Sequence, residues 1–226
     1  MHKMTAPAAM VAAMIAATAL PAHAADEPGK LQIKVLATAV LPDGKIDKVN
    51  KDLVGLPAGT QTEANNNVVP TVAIEYFFSD NVSLETICCM TQHDVDGTTG
   101  LPGAELVADA KIIPATFTLK YHFGEAGGVQ PYIGAGPTYF IFVDEKPGAA
   151  AKGLGANGFG MDDNLGVALQ AGVDVPVNEG GMVVSLDAKK YFVGTTAHWY
   201  VGANEVISTD HKLDPWVLSA GVGFRF

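Results

Sequence analysis

Cysteine is nearly missing from this 226-residue chain: the only two are the adjacent Cys88 and Cys89. Neighbours on a strand point to opposite faces, so a bond between them would be strained and a disulfide framework is not expected. CxxC spacing is absent as well, which removes the usual zinc and redox motifs. Positive charge is scarce, with 14 Lys and Arg against 24 Asp and Glu. Nucleic-acid affinity comes largely from Lys and Arg on phosphates, so the balance speaks against a nucleic-acid partner. Long apolar runs are also scarce, although 48% of the residues are hydrophobic. The one such run spans residues 6–20. It follows Lys3 and precedes Pro21-Ala22-His23-Ala24, so residues 1–24 read as a secretory signal cut after Ala24 rather than a membrane anchor. Losing Lys3 with that leader takes the net charge from −10 to −11. Beyond it no transmembrane helix is expected, and any membrane crossing falls to strands.

Strands are what the remainder offers. From Trp216 to the end, Trp216, Leu218, Ala220, Val222, Phe224 and Phe226 share one face, and Val217, Ser219, Gly221, Gly223 and Arg225 share the other. Period two defines a strand. A bilayer-spanning strand needs about 9–11 residues. Aromatics at both ends of an apolar face match the interfacial girdles of membrane barrels. The alternative is a buried edge strand of a soluble sandwich. Similar alternation recurs over Leu31–Leu41, Val69–Phe78, Val82–Met90, Ala115–Phe123, Val129–Val143, Leu165–Val175 and Val184–Lys189. Tight turns such as Ser79-Asp80-Asn81 alternate with long polar segments. About eight strands result, with every long connection at one end.

The phase of the charges separates a membrane barrel from a lipocalin-like soluble one. Lys34, Glu75, Glu85, Lys120, Asp174, Asp187, Lys189 and Arg225 all share the inward phase. Lys or Arg facing lipid at midplane costs about 2–4 kcal/mol, so inverting the phase would be expensive. Lys190 alone points outward, high enough on its strand to reach the interface. The reading is an all-β chain: residues 25–226 form an eight-stranded antiparallel up-and-down transmembrane β-barrel. Four long external loops are expected at about 43–67, 95–110, 144–162 and 195–209.

Several segments resemble the outer membrane protein W (OmpW) family. They are Glu75-Tyr76-Phe77-Phe78-Ser79-Asp80-Asn81, His93-Asp94-Val95, Leu119-Lys120-Tyr121-His122-Phe123 and Pro131-Tyr132-Ile133-Gly134-Ala135-Gly136. Further along they are Leu169-Gln170-Ala171-Gly172-Val173-Asp174, Asp187-Ala188-Lys189-Lys190 and Asp214-Pro215-Trp216. The resemblance implies a bacterial outer-membrane barrel, passage of small hydrophobic molecules through a narrow apolar lumen, and in some members a role as bacteriocin receptor. The aromatic Phe226 resembles the signal read by the outer-membrane assembly machinery. The chain departs from the family pattern at Cys88-Cys89 and in its Gly- and Ala-rich third long loop.

Candidate chemistry is sparse. Gly153-Leu154-Gly155-Ala156-Asn157-Gly158 has GxGxxG spacing, but no βαβ pattern surrounds it, so a flexible surface loop is expected rather than a nucleotide site. No HxxxH spacing occurs. His93 with Asp94 offers at most a weak rim cation site, and a hydrated strand end is the plainer reading. No Ser, His and acid group stands out as a hydrolase site. No catalytic residue, metal site or cofactor is expected. The inward residues carry the functional argument. Leu36, Val40, Ile87, Cys89, Phe140 and Phe142 point inward in the external half and define an apolar funnel, since small-molecule sites are apolar with few polar groups. Glu75, Glu85, Lys120, Asp174, Asp187, Lys189 and Arg225 define a charged layer below it, which a ligand could not cross cheaply. Lateral exit into the bilayer is the expected route, with the strand prolines Pro114, Pro131 and Pro137 as candidate openings or, equally, ordinary strand bends. Simple side-chain filling of a narrow barrel is the alternative. The rival function is a receptor whose external loops bind a partner, phage or bacteriocin.

Overall fold

A computed structural model describes residues 29–125, 127–178 and 180–226. The expected leader, residues 1–24, lies outside the described residues. The chain climbs first through β1 (Leu31–Leu41), and β2 (Lys45–Asp52) and β3 (Thr62–Ala64) stand beyond the rim. It descends through β4 (Asn67–Phe77), turns at the base, and climbs again through β5 (Val82–Cys88) and β6 (Thr91–Gly97). β7 (Glu105–His122) descends and β8 (Gln130–Val143) climbs. Above the rim follow β9 (Lys146–Pro147), a five-residue helix α1 (Ala149–Gly153) and β10 (Gly158–Met161). β11 (Asn164–Pro176) descends, β12 (Met182–Phe192) climbs, and β13 (Gly194–Val201) and β14 (Asn204–Lys212) form a hairpin above it. β15 (Trp216–Arg225) brings the chain back to the base.

Eight of these strands close into an antiparallel barrel in the order β7-β5-β4-β1-β15-β12-β11-β8, with β8 returning to β7. The ends of the chain meet in register: Ala37 faces Ala220, and the last rung joins Leu31 and Phe226 through bonds of 3.1 and 2.8 Å. The physical reason for closure is the outward face. Val35, Ile74, Leu84, Leu119, Ile133, Leu169, Leu186 and Leu218, one from each barrel strand, are all exposed. Tyr76, Phe78, Tyr121, Phe123, Phe224 and Phe226 ring the base, and Tyr139, Phe192 and Trp216 lie towards the rim. Such a belt between aromatic girdles is stable only in lipid, where an open sheet edge would leave unpaired backbone groups. Inside, Lys34, Glu75, Glu85, Lys120, Asp174, Asp187 and Lys189 are all buried, as the charge phase predicts. Lys190 escapes lipid by bonding the Asp214 carbonyl and lying 5.3 Å from the Trp216 ring centroid.

The four polar segments expected as loops contain strands: 195–209 is mostly β13 and β14, 43–67 holds β2 and β3, 95–110 holds the ends of β6 and β7, and 144–162 holds only β9, α1 and β10. β10, β13, β14 and β2 form a second, four-stranded sheet above the rim, and β3 and β6 extend the barrel sheet beside it. Their small apolar core holds Val95, Val107, Ala110, Ala151, Ala156, Ala197 and Trp199. On β13 the alternation is present but its inward residues are Thr, Ala and a single Trp rather than Val and Leu. Thr195, Ala197 and Trp199 are buried, whereas Thr196, His198 and Tyr200 are half-buried. Such weak apolar contrast reads as a loop. His93 differs in the same way: expected at a hydrated strand end, it is buried on β6.

The barrel wall is uneven. β5 pairs with β7 from Val82–Tyr121 to Thr86–Phe117, and pairing resumes only at Thr91–Ile112 on β6. Residues 87–90 and 113–116 therefore face each other without rungs, and Pro114 lies in this interval. A second interruption separates the Thr116–Thr138 and Leu119–Ala135 pairs of β7 and β8, beside Pro137. Pro131 sits in continuous pairing with Val173. Two of the three strand prolines thus mark breaks, as a missing N–H predicts.

The belt yields a direct test. Leu186 lies near the middle of β12, and Leu186→Arg should lower stability by about 2–4 kcal/mol. Equilibrium unfolding from lipid vesicles measures it; an unchanged midpoint would place that face in water.

Candidate functional site

The lower lumen is filled by one connected ionic layer. Lys34, on β1, reaches Glu75 at 2.9 Å, Asp174 at 3.0 Å and Glu85 at 3.4 Å. Lys120, on β7, lies 2.8 Å from Glu75 and 3.0 Å from Glu85. Lys189, on β12, lies 3.1 Å from Glu85 and 2.7 Å from Asp187. Three ammonium groups thus share four carboxylates. Glu85 is the hub, since it touches all three lysines. Neutral side chains complete the layer. Gln170 donates to Glu85 at 2.9 Å and to Asp187 at 2.6 Å, while its carbonyl accepts from Thr118. The Tyr132 hydroxyl donates to Asp187 at 2.9 Å, and its ring lies 3.7 Å under the Lys120 ammonium. Gln32 donates to Asp174 at 3.0 Å. Buried ions persist only when paired and hydrogen-bonded to this degree.

Arg225, expected in this layer, sits apart from it. Its guanidinium stacks 3.6 Å from the Phe77 ring centroid and its Nε donates to the Gly29 carbonyl at 2.6 Å, so it closes the base of the barrel. At the base, too, His122, Ser83 and Glu75 meet within 2.9 Å, with both His122 and Ser83 directed at the same Glu75 oxygen.

Above the ions the lumen is apolar. Val40, Phe140 and Phe142 pack with Val69, Ile112, Ala168, Tyr191, Val193, Leu213 and Val217, and Cys89 packs partly against them. Four expected funnel residues therefore share one cluster. Leu36 is buried lower, beside Gly221. Ile87 is half-buried at the wall break between β5 and β6. Tyr191 is the largest member of the cluster and is absent from the expected funnel. The inward phase of Lys189 would have revealed it two residues on, but Tyr191 lay past the end assigned to that strand. Tyr191 faces both worlds: its ring is 5.5 Å from Phe140 and Thr116 donates to its hydroxyl at 3.4 Å.

The other candidates are placed as well. Gly153 ends α1 and Gly158 begins β10, so the GxGxxG run lies between a short helix and a strand, the reverse of the dinucleotide order. Asn157 in this run accepts the Gly202 N–H at 2.8 Å, which ties it to the β13–β14 turn. Among the described residues no group of three or more His, Cys, Asp or Glu side chains is arranged to hold a metal ion. Cys88 is exposed on the wall and Cys89 half-buried, both as free thiols.

An apolar belt, an ion-filled interior and eight closed strands define the class: a small transmembrane β-barrel of the outer membrane. The chain belongs to the OmpW family, whose model matches residues 27–226. It is 29% identical to outer membrane protein W of Vibrio cholerae, over 96% of this chain and 97% of that one. It is 29% identical to the dibenzothiophene metabolism operon protein PahQ of Pseudomonas aeruginosa, over 76% of this chain and 77% of that one. The crystal structure of OprG from Pseudomonas aeruginosa superposes with a TM-score of 0.76 at 26% identity, covering 88% of this chain and 96% of that one.

The layer predicts its own fragility. Lys120→Met would leave Glu75 and Glu85 short of one ammonium, and removing one partner of a buried pair costs about 3–5 kcal/mol. A lower urea midpoint in bilayers, with the heat-modifiable folded form still attainable, is the expected result.

Proposed function

We propose that this barrel takes up small hydrophobic molecules from outside the cell and releases them sideways into the outer membrane. The observation that carries the reading is the stacking of an apolar cluster directly above a closed ionic layer, with a break in the wall beside the cluster. Phe140, Phe142, Tyr191 and Val40 give an incoming apolar molecule surface to replace water with. Below them, passage would require separating buried ion pairs, which is far costlier than moving apolar side chains. The wall break at residues 87–90 and 113–116 borders the same cluster, through Cys89 on one side and through Thr116 bonded to Tyr191 on the other. With no rungs there, parting the strands sacrifices little hydrogen bonding. The relative PahQ, a dibenzothiophene metabolism operon protein, points the same way, since dibenzothiophene is a small apolar aromatic.

A second reading has its own support. The tip of the β2 excursion is rigid, because the Asp52 carboxylate accepts the N–H groups of Val54, Gly55 and Leu56 at 3.0, 2.8 and 2.7 Å. That turn presents Leu53 and Val54 to solvent, 68% and 45% exposed. A fixed apolar tip far from the membrane suits recognition by a partner, phage or bacteriocin. At the opposite end the exposed Phe226 suits capture by the assembly machinery.

Uptake of an alkane or polycyclic aromatic probe by cells separates these readings. Phe140→Asp and Ile87→Asp are expected to abolish uptake while the folded barrel persists. Deleting residues 53–56 should leave it intact. Normal uptake by Phe140→Asp would sink the transport reading.

A further inference from the structure

Two buried histidines occupy equivalent places in the rim. Each is the third residue of a Thr-x-His strand segment, Thr91-Gln92-His93 on β6 and Thr209-Asp210-His211 on β14. In each, the threonine hydroxyl meets the imidazole Nε2, at 2.9 Å for Thr91–His93 and 2.7 Å for Thr209–His211. In each, Nδ1 faces a backbone carbonyl: His93 meets Asn65 at 2.6 Å and His211 meets Gly44 at 3.3 Å. A carbonyl only accepts, so Nδ1 carries the proton and Nε2 offers its lone pair to the threonine. Both rings are therefore held in the same neutral tautomer.

The two carbonyls bound this way are the two ends of one excursion. Gly44 precedes β2 and Asn65 follows β3. That excursion joins the two sheets of the rim, since β2 pairs with β14 and β3 pairs with β6. The histidines sit on those same partner strands. Residues 44–65 are thus fastened at both ends by imidazoles, with the Thr62 hydroxyl adding a 2.7 Å bond to the Gly44 carbonyl.

We propose that His93 and His211 form a pH-sensitive double clasp that holds residues 44–65 against the rim at neutral pH and releases them in mild acid. The mechanism is loss of the neutral tautomer. A protonated Nε2 becomes a donor, so the threonine hydroxyl must reverse its role and accept, and the cost falls on placing a positive charge in a buried site. His93 is 3% exposed and His211 6% exposed. The charges available to compensate are few. Asp94 lies one residue from His93, on the other face, where it accepts the Asp109 N–H; Asp109 in turn accepts from Gln92. Asp210 lies one residue from His211 and is engaged by Asn50 and Thr196. Across the strands His93 faces Ala110, and His211 faces Thr195 and Ile46, none of them titratable. Asp43 and Lys45, which flank Gly44, pair with each other at 2.8 Å, and Lys212 pairs with Asp47. Burial accordingly pushes both imidazoles below their ordinary value of 6.5, and the carbonyl bonds and the neighbouring Asp94 and Asp210 offset this only in part.

The sign follows from linkage. The closed state binds fewer protons than the open one, so its stability is full above about pH 6.5 and falls as pH drops below it. Each histidine contributes up to about a tenfold rise in the opening equilibrium one pH unit below that value, and two acting together up to about a hundredfold.

Hydrogen exchange of the full-length folded barrel in lipid bilayers tests this at pH 7.5 and 5.5, corrected for the intrinsic pH dependence of exchange. Protection over residues 44–65 should fall at least tenfold at pH 5.5, with β15 unchanged as internal reference. The double variant His93→Asn, His211→Asn keeps an N–H donor near each Nδ1 position but does not titrate, so its protection there should be the same at both pH values. A flat profile in the unmodified protein, or an equal acid loss in the double variant, overturns the clasp. Should the variant fail to fold, imidazole carbon shifts of the unmodified protein decide. Titration of either ring below pH 6.5 in step with loss of protection supports it, and titration at or above 6.5 with the segment still protected overturns it.

Discussion

An unpaired backbone N–H or C=O among acyl chains costs several kcal/mol, and everything else in this protein depends on avoiding that cost. With no described helix long and apolar enough to cross a membrane, the remaining solution is a sheet with no free edge. Closure between β1 and β15 supplies it. Closure in turn fixes the alternation, because each strand then has one face in lipid and one in a narrow interior. The ions have nowhere to go but inward, and there they must find each other. The ionic layer is a consequence of the barrel before it is a functional device.

That layer also divides the lumen chemically. Charged side chains from six strands meet in it, and Glu85 touches the three lysines at 3.0–3.4 Å. Moving one member strands the others in a low-dielectric interior, which makes the layer resist opening. The apolar cluster above it lacks this constraint. Its contacts are dispersive and individually weak, so its side chains exchange partners at small cost. The longer of the two wall interruptions lies beside this cluster, near Pro114, while β4 and β5 stay paired beside the ions at Glu75 and Glu85.

The rim obeys different physics, since water replaces lipid. Its sheet needs only one apolar face, and that face is small, centred on Trp199 with its Nε1 donating to the Leu106 carbonyl at 3.2 Å. Polar bonds therefore carry more of the organisation there than in the barrel. The Asp52 turn and the two Thr-x-His segments are such bonds, and each depends on a specific protonation or charge state.

The barrel was legible because period two is local: Trp216 to Phe226 declares its lipid face without reference to any other strand. The inward phase of Lys34, Glu75 and Asp187 was legible for the same reason, whereas the prolines did not tell Pro114 and Pro137, beside pairing breaks, from Pro131, which sits in continuous pairing. The rim strands escaped notice because Thr195, Ala197 and Thr209 give little hydropathy contrast, although they are buried. What only the tertiary structure decided is partnership. Gln32 meets Asp174 across 142 positions, and His211 reaches Gly44 across 167. Such pairs are set by the register between distant strands and by barrel closure. No local pattern encodes either, so the sequence determined which residues turn inward and the fold determined whom they met.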